Sequence, residues 1–96
     1  MQVIGLPGRS RETKEWMERL LASLGIAEPA IAHYQHWDSE IEADVSYEAE
    51  RLHDQAPELV VAKSLGTLIA ASAFALYSFR PKAAVLIGVP LCNFSP

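Results

Sequence analysis

Ala62-Lys63-Ser64-Leu65-Gly66 places a serine between two small residues, one two positions before it and one two positions after. The apolar run Leu59-Val60-Val61 leads into it, and an Ala-rich stretch free of charge leaves it. A serine on so sharp a strand-to-helix turn is held in a strained backbone conformation, with its hydroxyl exposed above the sheet. The turn presses its flanks together, so only small side chains fit, and Ala62 and Gly66 meet that condition. The helix that follows begins with unpaired N–H groups, which favour developing negative charge. The chemistry this permits is nucleophilic attack by the Ser64 oxygen. The same small-x-Ser-x-small pattern also occurs where a serine simply caps a helix; the strand before it and the helix after it favour the turn.

A second signal is Gly5-Leu6-Pro7-Gly8-Arg9-Ser10, which follows another short apolar run. It reads either as a Pro-Gly turn feeding a helix cap or as a loop offering N–H groups to an anion. Of the three histidines, His36 lies in His36-Trp37-Asp38, where it and Trp37 could line a pocket together with Arg9. His33 and His36 otherwise read as surface residues of a polar loop. Lys63 could act on the field at Ser64, but such a residue more often simply fills the variable position of the turn. The single cysteine, Cys92, has no partner for an internal disulfide, and no metal-ligand spacing surrounds it. No metal and no cofactor is expected.

The elements that must position these residues follow from periodicity and punctuation. Gln2–Leu6 reads as a buried strand stopped by Pro7-Gly8. Ser10 is the expected cap of a first helix whose inner face is Trp16, Leu20, Leu21 and Leu24, with Gly25 just past its end. Ala30–Tyr34 is a second strand. Ser39 with Glu42 forms an expected capping box, and Ile41, Val45, Ala49, Leu52 and Ala56 follow at helical spacing until Pro57. Glu58–Lys63 is a third strand. Ser64–Phe79 is a helix apolar on every face, which calls for burial on more than one side. Ala83–Val89, closed by Pro90, is a fourth strand.

Strands alternating with helices predict an α/β three-layer sandwich: a parallel sheet with right-handed crossovers and helices on both faces. If the second strand lies on one side of the first and the third on the other, the order is 2-1-3-4. The switch point, where open α/β sheets bind ligands, then lies between strands one and three. Gly5–Ser10 and Ser64 both sit at the carboxyl ends of those strands.

With these residues placed, the chain resembles the N-terminal half of the α/β-hydrolase core. Val3-Ile4-Gly5-Leu6-Pro7-Gly8 resembles that family's His-Gly-x-Pro-Gly loop, and Val60-Val61-Ala62-Lys63-Ser64-Leu65-Gly66-Thr67 its nucleophile elbow. Ala83–Val89 resembles the strand after it. The resemblance implies Ser64 as nucleophile, with the backbone N–H groups of Leu6 and Leu65 as oxyanion donors. Ile4 stands where the family's loop has histidine, and Ala62 where its elbow usually has glycine. The family order is nucleophile, acid, histidine. Here every histidine, aspartate and glutamate precedes Ser64. Residues 1–96 therefore read as a single partial domain lacking the later strands, a piece of a larger hydrolase that is inactive by itself.

Composition bounds the alternatives. Half of the 96 residues are hydrophobic, and the net charge is -4. Glu12 and Glu15 dilute the basic group Arg9, Arg11 and Lys14, so nucleic acid is not an expected partner. Met1–Gly8 lacks the basic and long apolar stretches of a signal peptide, and Ser64–Phe79 falls short of the ~20 residues that span a membrane. The expectation is a cytoplasmic chain without a membrane partner. Its substrate would be a small ester, thioester or amide. The competing functions are a catalytically inactive interaction module, self-associating through an open sheet edge, and a Rossmann-like nucleotide binder, which lacks Gly-x-Gly-x-x-Gly and a Walker lysine.

Overall fold

The apolar runs pair side by side as strands. The computed structural model describes residues 2–39 and 41–88. It contains β1 (Val3–Leu6), α1 (Thr13–Ser23), β2 (Ala30–Ile31), α2 (Val45–Gln55), β3 (Leu59–Lys63), α3 (Leu65–Tyr77) and β4 (Ala83–Ile87), with a 3-10 turn at Gln35–Trp37. The sheet is parallel throughout, in the order β2-β1-β3-β4. Leu6 pairs with Ala62, so the ends of β1 and β3 are level.

Side chains alternate across the sheet and divide the core into two layers. Ile4, Leu6, Val60 and Ala62 face α2 and α3, where they pack with Leu52, Ile69, Ala70 and Ala73. Val61 faces α1 and packs with Met17 and Leu21. Helices thus cover both faces. A Cβ on Gly5 would lie 2.7 Å from Met17 Cγ and 2.9 Å from Leu21 Cδ1, so the bare Cα lets α1 close onto β1.

Several local expectations change. The buried positions of α1 are Met17 and Leu21, not the face through Trp16, Leu20, Leu21 and Leu24; Trp16 and Leu24 are exposed. The space over Gly5 turns the helix by one position. Ser10 does not cap α1 with its hydroxyl. Its carbonyl accepts from the N–H (3.1 Å) and Oγ1 (2.6 Å) of Thr13. β2 is shorter than Ala30–Tyr34, because Tyr34 leaves the sheet to bury its ring in the core. The Ser39–Glu42 capping box is replaced by Asp44, whose carboxylate accepts the Tyr47 N–H at 3.0 Å. Ser39 instead donates to the Gln35 carbonyl, and Ile41 lies outside α2.

α3 lies on β3, β1 and α2, but its outer positions Ala71, Ala75 and Leu76 are exposed, so its apolar circumference is only partly covered. β4 is also exposed, with Val85 and Leu86 open to solvent. Val89, Pro90 and Cys92 lie outside the described residues. Among those described, no helix is long and apolar enough to cross a membrane.

Replacing Asp44 with alanine should lower stability by about 1 kcal/mol, whereas Ser39→Ala should cost less than about half of that, as measured by urea denaturation. The reverse ranking would return the cap to Ser39.

Candidate active site at the carboxyl ends of β1 and β3

Ser64 joins β3 to α3 with φ 48° and ψ −109°. This lies outside the left-handed well that non-glycine residues sometimes occupy, and such a conformation costs about 1–3 kcal/mol. Its neighbours hold it there. The Ser64 N–H donates to the Ile87 carbonyl at 3.0 Å, and the Ser64 carbonyl accepts from the N–H (2.9 Å) and Oγ1 (2.6 Å) of Thr67. The hydroxyl makes no capping bond, although Ser64 occupies the cap position of α3. Among the described residues, the Leu65 N–H donates to no protein acceptor. A strained serine with an uncommitted oxygen beside an open N–H is the geometry that the elbow pattern predicts.

The small flanks are required by contact. A Cβ on Gly66 would fall 2.2 Å from the Leu6 carbonyl oxygen and 2.7 Å from Leu6 Cβ. The start of α3 therefore rests directly on the end of β1. Ala62 is fully buried in the layer facing α2 and α3. Gly88, at φ 66°, presents its bare Cα to the serine: a Cβ there would lie 3.7 Å from Ser64 Oγ. Sequence reasoning absorbed Gly88 into a strand, although a glycine inside an apolar strand pattern is itself a sign of close approach.

One donor assignment changes. Leu6 pairs with Ala62, while the Gly5 carbonyl accepts from Ala32 N–H on the β2 side at 2.9 Å and Pro7 has no N–H to contribute. The parallel pattern then requires the Leu6 N–H in the β1–β3 ladder. Leu6 marks the crevice, but its N–H is engaged with β3.

The β1–α1 loop is fastened on its β2 side. The buried Tyr34 hydroxyl donates to the Pro7 carbonyl. His36 Nε2 (2.7 Å) and Trp37 Nε1 (2.8 Å) both donate to the Arg9 carbonyl. Arg11 donates to the Trp37 carbonyl at 2.6 Å and pairs with Asp38 at 3.2 Å, and His33 Nε2 lies 2.9 Å from Asp38. The Tyr34, His36 and Trp37 rings pack together. Arg9, His36 and Trp37 do meet, then, but through the Arg9 main chain. The His33 hydrogen bond, helped by the charges of His33 and Arg11, holds the Asp38 carboxyl below its ordinary range. Burial, with the Glu48 charge adding to it, pushes the Tyr34 phenol well above its ordinary value. Lys63 turns its ammonium over the Trp16 ring, 5.0 Å from the centroid, on the α1 face. His53 stacks on Tyr77 between α2 and α3.

Among the described residues, no group of three or more His, Cys, Asp or Glu side chains could hold a metal ion. Fold and site together define a parallel α/β sandwich with a strained serine at its switch point. Compared with protein-family models, curated proteins and solved structures, the chain gives no match.

Replacing Gly66 with alanine should destabilise the chain by about 1–3 kcal/mol, because the group it meets is backbone rather than a flexible side chain end. An unchanged urea midpoint would mean that α3 starts farther from β1.

Proposed function

We propose that these residues carry the nucleophile and oxyanion portion of a serine-dependent acyl-transfer site, acting on a small ester, thioester or amide. The observation that carries this reading is Ser64 itself: strained at φ 48°, with its oxygen released from capping, beside the open Leu65 N–H. Ser64 Oγ would attack the carbonyl carbon and lose its proton to a base. The carbonyl oxygen would gather negative charge against the backbone donors. Collapse would break the bond to the alcohol, thiol or amine, which leaves with a proton. Water would then hydrolyse the acyl-serine.

Among the described residues, the Ser64 hydroxyl makes no capping hydrogen bond, and no histidine or carboxylate is paired with it. No histidine or carboxylate follows Ser64 in residues 1–96. Each earlier histidine has a partner elsewhere: His33 on Asp38, His36 on the Arg9 carbonyl, His53 on Tyr77. A triad stripped of one member retains only ~10³–10⁴-fold catalysis over water. Residues 1–96 should therefore show negligible esterase turnover and slow Ser64 labelling by a fluorophosphonate, read by peptide mapping with Ser64→Ala as control. A reading frame that supplies the acid and histidine should label rapidly at Ser64. Rapid labelling of the short chain would assign the base to one of its own histidines. No labelling of the longer chain at Ser64 would remove the hydrolase reading.

The exposed β4 favours a second reading, an interaction module. Among the described residues β4 pairs on one side only, with β3, and Val85 and Leu86 are exposed. A bare strand edge recruits further strands. Sedimentation velocity should show concentration-dependent self-association that Leu86→Lys weakens. A strictly monomeric species at high concentration would contradict it.

A further inference from the structure

The carboxyl end of α3 and the amino end of β4 enclose a groove lined by Phe74, Arg80, Pro81, Lys82, Ala83 and Ala84, with a volume of about 350 Å³. Ser64 stands at the other end of β4, where its N–H meets the Ile87 carbonyl. The volume lies toward the small end of the ~300–1,000 Å³ range of small-molecule sites. Phe74, Pro81, Ala83 and Ala84 make the walls apolar. The Phe74 ring stacks on the buried Phe79 ring, with centroids 5.9 Å apart, so that wall is backed by the core.

The charges on the rim are unequal. Lys82 is already matched: its Nζ lies 2.9 Å from Glu58, and this bond leads the causes that hold the Glu58 carboxyl below its ordinary range. Arg80 pairs with no carboxylate among the described residues. Its Nη1 donates to the Phe74 and Phe79 carbonyls, each at 2.8 Å. Those bonds close the end of α3, where a cation suits the helix dipole. They use Nη1 alone. Nε and Nη2, the side-on fork of the guanidinium, donate to no described group. The carbonyls therefore hold the guanidinium plane while the fork that matches a carboxylate meets no acceptor. Holding it in advance lowers the ordering cost of binding.

We infer that this groove is a binding site for a small monocarboxylate with an apolar chain. The carboxylate takes the Nε–Nη2 fork of Arg80, and the chain lies on Phe74, Pro81, Ala83 and Ala84. One unmatched cation fits one negative charge, and apolar walls fit a hydrocarbon. The site is independent of the acyl-transfer reading.

Octanoate added to ¹⁵N-labelled residues 1–96 tests it. The Lys82, Ala83 and Ala84 amides should shift saturably, and the Arg80 Nε–H should move downfield as the carboxylate accepts from it. Octanamide keeps the chain without the charge and should bind about tenfold more weakly. Arg80→Lys keeps the charge without the fork and should weaken octanoate about tenfold. If that variant loses the dispersed amide spectrum of a folded chain, Ala84→Glu takes its place. It supplies a carboxylate from the groove wall and should abolish the octanoate shifts. Ser64→Ala should bind octanoate unchanged, so failure of the hydrolase reading leaves the site standing.

Equal affinity for octanoate and octanamide would overturn the role of Arg80. So would an unmoved Arg80 Nε–H, or unaltered affinity in folded Arg80→Lys or Ala84→Glu. Shifts at β4 that follow protein concentration rather than octanoate would assign the groove to a second copy of the chain and overturn the site. Absence of any saturable shift at these residues would overturn it outright.

Discussion

The start of α3 and the end of β1 touch with no side chain between them. The Leu6 carbonyl stands where a Cβ of Gly66 would be, and the level pairing of Leu6 with Ala62 places Ser64 just past that contact. The rest of the site depends on this approach. It brings an uncommitted helix N–H and a hydroxyl to the mouth of the switch point, and it forces Ser64 into a conformation that costs about 1–3 kcal/mol. Burial of the same helix offsets that cost. Ile69, Ala70 and Ala73 are fully buried in the layer shared with α2. Fully burying one large aliphatic side chain contributes about 1.5–3 kcal/mol, so one residue of Ile69's kind is of the size needed.

The other face of the sheet uses the same device. Gly5 admits Met17 and Leu21 as Gly66 admits Leu6. The loop from Pro7 to Glu12 joins the end of β1 to α1, and the Tyr34, His36 and Trp37 side chains hold it by its Pro7 and Arg9 carbonyls rather than by its side chains. The Tyr34 phenol donates to the Pro7 carbonyl, and burial with the Glu48 charge pushes its pKa further above the ordinary range.

β4 lies at one edge of the sheet, next to β3. β4 has a sheet partner on one side among the described residues, and Leu76 on α3 adds to the exposed apolar surface. Every histidine, aspartate and glutamate of residues 1–96 precedes Ser64.

The sequence by itself determined the alternation of strands and helices, the switch point between β1 and β3, and Ser64 with its small flanks at the elbow. These are local matters: apolar runs, proline and glycine stops, and a serine at a strand-to-helix junction constrain the chain within a few residues. Tertiary structure decided the rest. Which face of α1 is buried depended on the hollow over Gly5, across the chain from Met17 and Leu21. Asp44 became the cap of α2 while Ser39 was drawn to the Gln35 carbonyl beside the turn anchored on Arg9. The Leu6 N–H passed to β3 because the Gly5 carbonyl was already taken on the β2 side. Each outcome turns on which of several competing partners a group meets, and those partners are distant in sequence. Hydrogen-bond direction and side-chain contact are fixed only when the strands are laid side by side.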